Sequence, residues 1–410
     1  MNKPKIAIVS FPGNNCEVES IRAIRNNGME PVFFRWNDDV SKLKDIDGYF
    51  IPGGFSYEDR GRAGMVAARD PLLQHIKDEA SKGKVVIGNC NGAQILVESG
   101  LIPNSEGLAM SLAKNVVNGN ATGFINEWIW VTPHCDKSRC ATSNWEGSMH
   151  IPLAHGEGRF TTKDAALWQK LVDNNQIAFV YCDEEGNTAS TNTLNPNGSE
   201  MSAAGLCNPE GNVVALMPHP ERTPLGDAYF ASVKTWIDNH PARDESTVVK
   251  SNNTKIVNLQ TREASGTEIF IETIIVNNEE RTVEQAAKRE KSGISIKQLR
   301  YIQLPSDTAR DVLTTITHFN PNKETAYIRR GDSFMKWNAD TKQEQHQESI
   351  LDGIALLRRD EPDTDAQNIA EGAQSGICYV CSGVSLEDVS EESVLNIFGN
   401  PHASTINRLL

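Results

Sequence analysis

The chain has 410 residues, of which 39% are hydrophobic and 23% are charged. This length predicts two domains, and the composition excludes a collagen, a coiled coil or a wholly disordered chain. The net charge of −14 argues against a nucleic-acid partner, because proteins that bind phosphate backbones neutralise them with basic surfaces.

No apolar run approaches the roughly 18 residues of a membrane span, so no membrane partner is expected. The apolar run near the N-terminus is too short for a secretory signal and indicates a first buried strand. Eight cysteines are too few for a disulfide scaffold in a chain of this length. We therefore expect reduced thiols and a cytoplasmic location.

The first part of the chain alternates between short β-rich runs and amphipathic segments. Strands are predicted at residues 5–10, 31–35, 48–52 and 84–88, and helices at residues 15–27 and 70–82. This rhythm indicates a parallel sheet covered on both faces. After residue 124 it changes to strands with turn-rich connections, at residues 127–132, 150–154, 178–182 and 213–217, followed by a helix at 227–239.

Beyond this first domain, residues 1–240, the pattern is lost. Residues 241–266 are mostly polar and are predicted to be a linker. Residues 267–410 form a second, smaller domain, with an insertion at about 305–375. Its two strand–helix–strand units, 268–304 and 376–409, are predicted to form one sheet with a free apolar face. The helix of the first unit is predicted to begin at Thr282, and a further helix is predicted inside the insertion, at 350–357.

The segment from Lys84 to Leu96 carries the strongest functional signal, because a buried strand runs into a turn with Cys90 at its apex. Gly88 and Gly92 flank the cysteine and permit a tight strand-to-helix turn, as in the nucleophile elbow of hydrolases. A thiolate there is stabilised by the helix N-terminus. The free amides, beginning with that of Asn91, can bind an oxyanion.

A thiolate nucleophile needs a base and a group that orients the base. The apolar strand at 213–217 ends in Pro–His–Pro–Glu, and the prolines fix an extended turn around His219. Residues two apart in an extended chain point the same way, so Glu221 can bond one ring nitrogen and aim the other at the sulfur. Gly53 and Gly54, which end another strand, are candidate oxyanion donors because their backbone can approach a ligand closely.

Three of these segments, GNCNGAQIL, MPHPER and IPGGFSYEDR, resemble class I glutamine amidotransferases. The motifs FPGNNC, IPLAHGEG and NPNGS narrow the resemblance to the glutaminase (PurQ) family of phosphoribosylformylglycinamidine synthases. The resemblance covers about residues 4–240. It implies an α/β fold with a flavodoxin-like mixed sheet flanked by helices, followed here by a smaller α+β domain. It also implies that Cys90, His219 and Glu221 form the catalytic triad.

In such a family glutamine is hydrolysed through a γ-glutamyl thioester, and the ammonia passes to a large synthetase subunit that amidates formylglycinamide ribonucleotide. This chain is expected to bind no cofactor or metal itself, and ATP and Mg²⁺ are expected on the synthetase. Two residues depart from the family pattern. A small residue is common at the position of Glu58, and an apolar residue is common at the position of Asn89. The segments 294–304 and 394–401 resemble the small PurS subunit of the same synthase.

The sequence leaves two other functional interpretations open. One is a cysteine hydrolase or amidotransferase on the same scaffold with another substrate, and the other is a non-catalytic assembly subunit. Cys378 and Cys381 form a CxxC pair, but without a second pair in the same domain no metal site is predicted. We do not assign His155 to the triad.

Overall fold

A computed structural model describes residues 3–104, 107–188, 194–243 and 255–410. The chain divides into two compact units, residues 1–251 and 252–410. In the described part of the chain, no helix combines the length and the apolar character that crossing a bilayer requires.

The first unit contains thirteen strands among its described residues. They are Lys5–Ser10 (β1), Glu30–Arg35 (β2), Gly48–Ile51 (β3), Val85–Asn89 (β4), Ser111–Lys114 (β5), Val116–Val117 (β6), Asn120–Ala121 (β7), Ile125–Pro133 (β8), Met149–His155 (β9), Glu157–Thr161 (β10), Ile177–Cys182 (β11), Ala203–Cys207 (β12) and Val213–Leu216 (β13). Its α-helices are Glu17–Asn26 (α1), Pro71–Ser81 (α2), Asn91–Glu98 (α3), Ala165–Asp173 (α4) and Asp227–Asn239 (α5). The strands and helices predicted for residues 1–240 are confirmed to within a few residues.

Nine of these strands form one mixed sheet in the order β2-β1-β3-β4-β13-β12-β11-β8-β9. The five strands from β2 to β13 run parallel, and the remaining four are antiparallel to their neighbours. The predicted α/β fold class with a mixed sheet is therefore confirmed. Because β3, β4 and β13 are adjacent and parallel, their carboxyl ends meet at one edge, where ligands bind in open α/β sheets.

Local sequence explains the central elements. The strand β4 reads VVIGN and is buried at every position, as expected for a strand between two parallel neighbours. Helix α2 starts at Pro71, and the Asp70 side chain caps it by accepting a hydrogen bond from the Leu72 amide at 3.0 Å.

The second unit contains nine strands and four α-helices in its described part. The strands are Thr261–Arg262 (β14), Thr267–Thr273 (β15), Ser295–Leu304 (β16), Glu324–Arg330 (β17), Ser333–Asn338 (β18), Gln343–Gln347 (β19), Ile354–Asp360 (β20), Gln374–Ser382 (β21) and Ser404–Leu409 (β22). The helices are Asn278–Glu290 (α6), Ala309–Thr314 (α7), Leu386–Ser390 (α8) and Glu392–Phe398 (α9). All nine strands form one sheet in the order β14-β22-β20-β21-β16-β15-β17-β18-β19.

This topology confirms that the two strand–helix–strand units share a sheet, since β15 and β21 both pair with β16. The insertion at 305–375 supplies β17, β18, β19 and β20 to the same sheet. The strand β20 lies between β21 and β22, and the helical piece predicted at 350–357 was therefore wrong. One edge of the sheet is β19, whose sequence QEQHQ is wholly polar.

Two boundaries also differ from the sequence prediction. Helix α6 begins at Asn278 and is capped by the Asn277 side chain, which accepts from the Glu280 amide, so the predicted start at Thr282 was four residues late. The linker prediction of 241–266 was wrong for its second half, because Thr261 and Arg262 pair with β22. Residues 244–254 lie outside the described residues.

Side chains bury both faces of the second sheet. One face carries Ile269 and Ile302 against α7, and the other carries Phe270, Leu299 and Tyr301. Phe334 packs with the second set, and Ile350 and Leu351, which are half-buried, lie against it. The expectation of a free apolar sheet face was therefore wrong, because residues of the insertion pack against it.

A buried charge cluster ties β14 to this sheet. The Glu268 carboxylate is fully buried and accepts hydrogen bonds from Arg262 at 3.0 Å and from the Tyr301 hydroxyl at 2.7 Å. Arg329 lies 3.6 Å from its second oxygen. Because a buried charge needs partners, these contacts explain why a polar stretch that resembles a linker belongs to the second unit.

Candidate active site

Cys90 lies between the end of β4 and the start of α3, with a φ of 51°. Such a φ is unusual for a residue with a side chain and is typical of a strained functional turn. The flanking glycines let the strand and the helix approach each other. A Cβ on Gly88 would lie 2.5 Å from the Gly92 carbonyl oxygen, and one on Gly92 would overlap the carbonyl oxygen of Ile51.

His219 follows β13, the strand next to β4, and its side chain is fully buried. Its Nδ1 lies 2.6 Å from Oε1 of Glu221, which is also buried. Its Nε2 has no hydrogen-bond partner among the described residues. The carboxylate therefore fixes one ring nitrogen and leaves the other available, which is the arrangement predicted from the spacing of the two residues.

The charges at this site favour an ionised histidine. Burial opposes the imidazolium, but the Glu221 carboxylate and the Cys90 sulfur outweigh it and raise the pKa of His219 well above its usual value. Burial raises the pKa of Glu221, yet the charge and hydrogen bond of His219 and the amide of Asn89 lower it overall. An imidazolium paired with the Glu221 carboxylate is the protonation state that these two shifts favour.

Gly53 brings the backbone between the nucleophile and the base. A Cβ added there would lie 2.7 Å from Cε1 of His219 and 3.3 Å from Cβ of Cys90. Within the described part of the chain, the amides of Gly53, Gly54 and Asn91 donate to no acceptor. The structure thus places the three predicted oxyanion donors beside Cys90, and their role stays a prediction.

A cavity of about 220 Å³ opens beside Cys90. Besides the cysteine, it is lined by Asn15, Gly54, Phe55, Phe124, Asn126, Ala154 and Arg222. The Cys90 thiol donates to the Ala154 carbonyl at 3.4 Å. Phe55 and Phe124 stack with ring centroids 6.3 Å apart, and both are exposed. The lining therefore combines two aromatic rings, two asparagine amides and a single cation, Arg222.

Comparison with known proteins places this site in a family. The model of the CobB/CobQ-like glutamine amidotransferase domain matches residues 3–228, which is more than half of the chain. The chain belongs to this family. It is a glutamine amidotransferase, and the family predicted from the motifs is confirmed.

Two relatives of this amidotransferase are named phosphoribosylformylglycinamidine synthase subunit PurQ. The protein from Methanothrix thermoacetophila is 42% identical over 234 residues, which cover 55% of this chain and 87% of the relative. That from Methanocaldococcus jannaschii is 40% identical over 222 residues, covering 53% and 89%. The solved structure of PurLQS from Thermotoga maritima is 31% identical, covers 58% of this chain and 100% of the matched chain, and has a TM-score of 0.46.

The sequence analysis missed two residues of this site. Cys16, which precedes α1, is buried, with its sulfur 4.0 Å from Nδ1 of His219. Arg222, next to Glu221 in the chain, donates to that sulfur at 3.1 Å. The motif FPGNNC contained Cys16, but nothing in its local pattern indicated that the start of the first helix reaches the histidine.

Ligand atoms of Cys16, His219 and Glu221 lie within 4.8 Å of one another, which is close enough for a metal site. The histidine nitrogen and the carboxylate oxygen are, however, joined by a hydrogen bond of 2.6 Å. A zinc ion bound at about 2 Å from both atoms would require them to move apart. We therefore keep the prediction that this chain binds no metal there.

His155 is buried next to the triad, and neither ring nitrogen has a partner among the described residues. Burial, together with the charge of His219, lowers the pKa of His155 to about 3. The imidazole is thus neutral at physiological pH. Since Glu221 bonds His219 and not His155, the geometry agrees with leaving His155 outside the triad.

The side chain of Asn91 connects the elbow to the loop that follows β3. Its oxygen accepts from the Ser56 amide at 3.0 Å, and its nitrogen donates to Asp59 at 3.2 Å. Burial and the charge of Glu157 raise the pKa of Asp59 to about 7. In this loop Tyr57, Glu58 and Asp59 all have left-handed backbones, with φ values of 52°, 58° and 53°. Glu58, which departs from the family pattern, therefore places a side chain at a backbone conformation that favours glycine.

We expect Glu58→Gly to raise the melting temperature of the first unit by about 2 °C. A left-handed conformation destabilises the folded state by about 1–2 kcal/mol for a residue with a Cβ. Glycine removes this strain, but its greater freedom in the unfolded chain offsets about 0.5–1 kcal/mol of the gain. Glu58→Ala is the matched control, because it removes the same exposed ion pair with Arg60 but keeps the Cβ. Equal melting temperatures for the two variants in thermal unfolding would show that no strain is relieved.

Proposed function

We propose that this amidotransferase is the glutaminase component of a phosphoribosylformylglycinamidine synthase. The observation that carries the proposal is the hydrogen-bonded pair of His219 and Glu221 next to Cys90, with the backbone of Gly53 packed against both the histidine and the cysteine. The name of its relatives supports the choice of synthase. The partner is then a large synthetase subunit that holds ATP and Mg²⁺, and the reaction takes place in the cytoplasm.

The proposed chemistry uses the three triad side chains in turn. The Cys90 thiolate attacks the carboxamide carbon of glutamine, and the negative oxygen that forms accepts hydrogen bonds from the amides of Gly53, Gly54 and Asn91. The His219 imidazolium gives its proton to the departing nitrogen, so ammonia leaves and a γ-glutamyl thioester remains. His219 then removes a proton from water, which attacks the thioester and releases glutamate and the thiolate.

Arg222 has a place in this proposal as a substrate ligand. It is the one charged side chain among the described residues that line the cavity, and glutamine carries an α-carboxylate. Bonding that carboxylate would place the carboxamide end of the substrate toward Cys90. The apolar faces of Phe55 and Phe124 would then enclose the methylene groups of glutamine.

The test of the proposed function is reconstitution. The purified chain is mixed with a phosphoribosylformylglycinamidine synthetase subunit, formylglycinamide ribonucleotide, ATP and either glutamine or ammonium chloride. We expect glutamine to support amidation only when the chain is present, and ammonium to support it without the chain. Hydrolysis of another amide or ester by Cys90, with glutamine inert, would favour the alternative of a different cysteine hydrolase on this scaffold.

We further propose that residues 252–410 help to couple the glutaminase to the synthetase, as the resemblance to the small PurS subunit implies. Deleting them is expected to leave the first unit folded and Cys90 reactive toward a glutamine-analogue electrophile, because the first unit has its own core. Glutamine-dependent amidation is expected to fall at low concentrations of the two proteins and to recover as they are raised. Full coupling at all concentrations would contradict this role.

A further inference from the structure

Asn89 stands immediately before Cys90, the proposed nucleophile, in the chain. Its side chain is fully buried at the end of β4. The amide nitrogen donates to Oε2 of Glu221 at 2.9 Å, and the amide oxygen accepts from the hydroxyl of Tyr229 at 3.1 Å. Both polar atoms of the buried amide are therefore satisfied, as buried polar groups require.

These contacts fix the orientation of the amide. If the Asn89 side chain were flipped, its carbonyl oxygen would face the Glu221 carboxylate, and two acceptors would oppose each other. The Tyr229 hydroxyl reinforces the observed orientation because it is fully buried and burial raises the pKa of Tyr229 well above its usual value, so it stays a donor. Tyr229 belongs to α5, and Glu221 to the turn after β13.

The two oxygens of the Glu221 carboxylate thus have separate partners. One accepts from His219 and the other from Asn89. A carboxylate held at both oxygens cannot rotate about its Cγ–Cδ bond, so the direction of the hydrogen bond to the imidazole is fixed. Orienting a catalytic histidine in this way is what the third member of a triad does.

We propose that Asn89 is a positioning residue for the triad, held by Tyr229, which locks the Glu221 carboxylate in its bond to His219. This inference rests on the proposed glutaminase function. The side chain of Asn89 bonds Glu221 and Tyr229, and in this proposal it acts only through Glu221. Because Asn89 and Cys90 are consecutive, one strand end supplies both the nucleophile and the support for the carboxylate.

The readout is the pH profile of Cys90 labelling by a diazoketone analogue of glutamine, measured in the full-length protein. Asn89→Leu is expected to slow labelling about tenfold, because a hydrogen bond to a charged group is lost. The acid limb of the profile is expected to move to higher pH, since a carboxylate without its amide donor is protonated more easily. The groups that face Glu221 are His219, Asn89, Tyr229, Arg222 and Cys16.

Two further variants separate positioning from a structural role. Tyr229→Phe removes only the hydroxyl that orients the amide, so it is expected to shift the acid limb in the same direction by a smaller amount. Tyr49→Phe is the matched control, because its buried hydroxyl bonds His75 and not the triad, and its profile is expected to match wild type. The concentration of analogue that gives half-maximal labelling rate is expected to be unchanged in all three.

The outcomes distinguish the two levels of inference. If wild-type Cys90 is not labelled, the proposed glutaminase function fails. If wild type is labelled and both Asn89→Leu and Tyr229→Phe keep its rate and acid limb, the positioning role is wrong. If Asn89→Leu does not fold, Tyr229→Phe alone decides, because a shifted acid limb supports the role and an unchanged one overturns it.

Discussion

Replacement of Cys90 by alanine is expected to abolish glutamine-dependent amidation while ammonium still supports the synthetase. In the proposed mechanism the thiol forms the bond to the substrate, and removing the nucleophile of a triad enzyme costs on the order of 10⁶ in kcat. The synthetase needs only ammonia, so its own chemistry is unaffected. The measurement is the rate of amidation with each nitrogen source, combined with mass spectrometry after treatment with a glutamine-analogue electrophile.

Cys182→Ala is the matched control for this experiment. Cys182 is another buried, free cysteine of the first unit, located in β11. Its replacement is expected to leave both labelling of Cys90 and glutamine-dependent amidation in place. A label found on a different cysteine, with Cys90 untouched, would show that the nucleophile had been misassigned.

The base and its partner are expected to differ in effect. Replacing His219 by asparagine removes the group that gives a proton to the departing nitrogen, and loss of such general acid–base catalysis typically costs about a hundredfold to ten-thousandfold. Glu221→Gln is expected to cost less, because the imidazole remains. The rate of thioester formation with glutamine, followed in a single turnover, measures both variants.

Glu221→Gln also predicts a change of pH dependence with a definite sign. The carboxylate raises the pKa of His219, so neutralising it lowers that pKa. The imidazolium then loses its proton at a lower pH, and the basic limb of the pH–rate profile shifts to lower pH. If the basic limb of Glu221→Gln lies at the same pH as in wild type, Glu221 does not raise the pKa of His219.

His155→Asn is the comparison variant for His219→Asn. His155 lies in β9 next to Ala154, whose carbonyl accepts from the Cys90 thiol, but it makes no bond to Glu221. Its imidazole is already neutral at the working pH. If His155→Asn slowed thioester formation as much as His219→Asn, the triad would have to be redrawn.

The triad was predictable because each of its parts depends on local sequence. Glycines at 88 and 92 specify the elbow, and the prolines around His219 specify an extended turn that brings Glu221 to the same side. The meeting of the two segments follows from adjacent parallel strands, which the βαβ rhythm indicates. The contacts of Asn89 and Cys16 were not predictable, since they join residues far apart in the chain through α5 and the turn after β13.

The second unit shows where local pattern fails. Residues 350–357 contain apolar residues at spacings that fit a helix, yet Gly353 has a φ of 147° and Ile354 starts a strand. That strand exists because β21 and β22 lie on either side of it, which no short window of sequence reveals. The polar stretch before Thr267 likewise acquires structure through distant residues, by pairing with β22 and by the bonds of Arg262 to buried Glu268.

The polar edge strand β19 has a consequence for self-association. An edge strand exposes backbone groups that another chain can pair with, and such pairing grows into aggregates when it also buries apolar surface. Every side chain of β19 is polar, so a strand added there would gain hydrogen bonds but cover no hydrophobic residue of that strand. We therefore expect this edge of the nine-stranded sheet to gain little by pairing with a second copy of the chain.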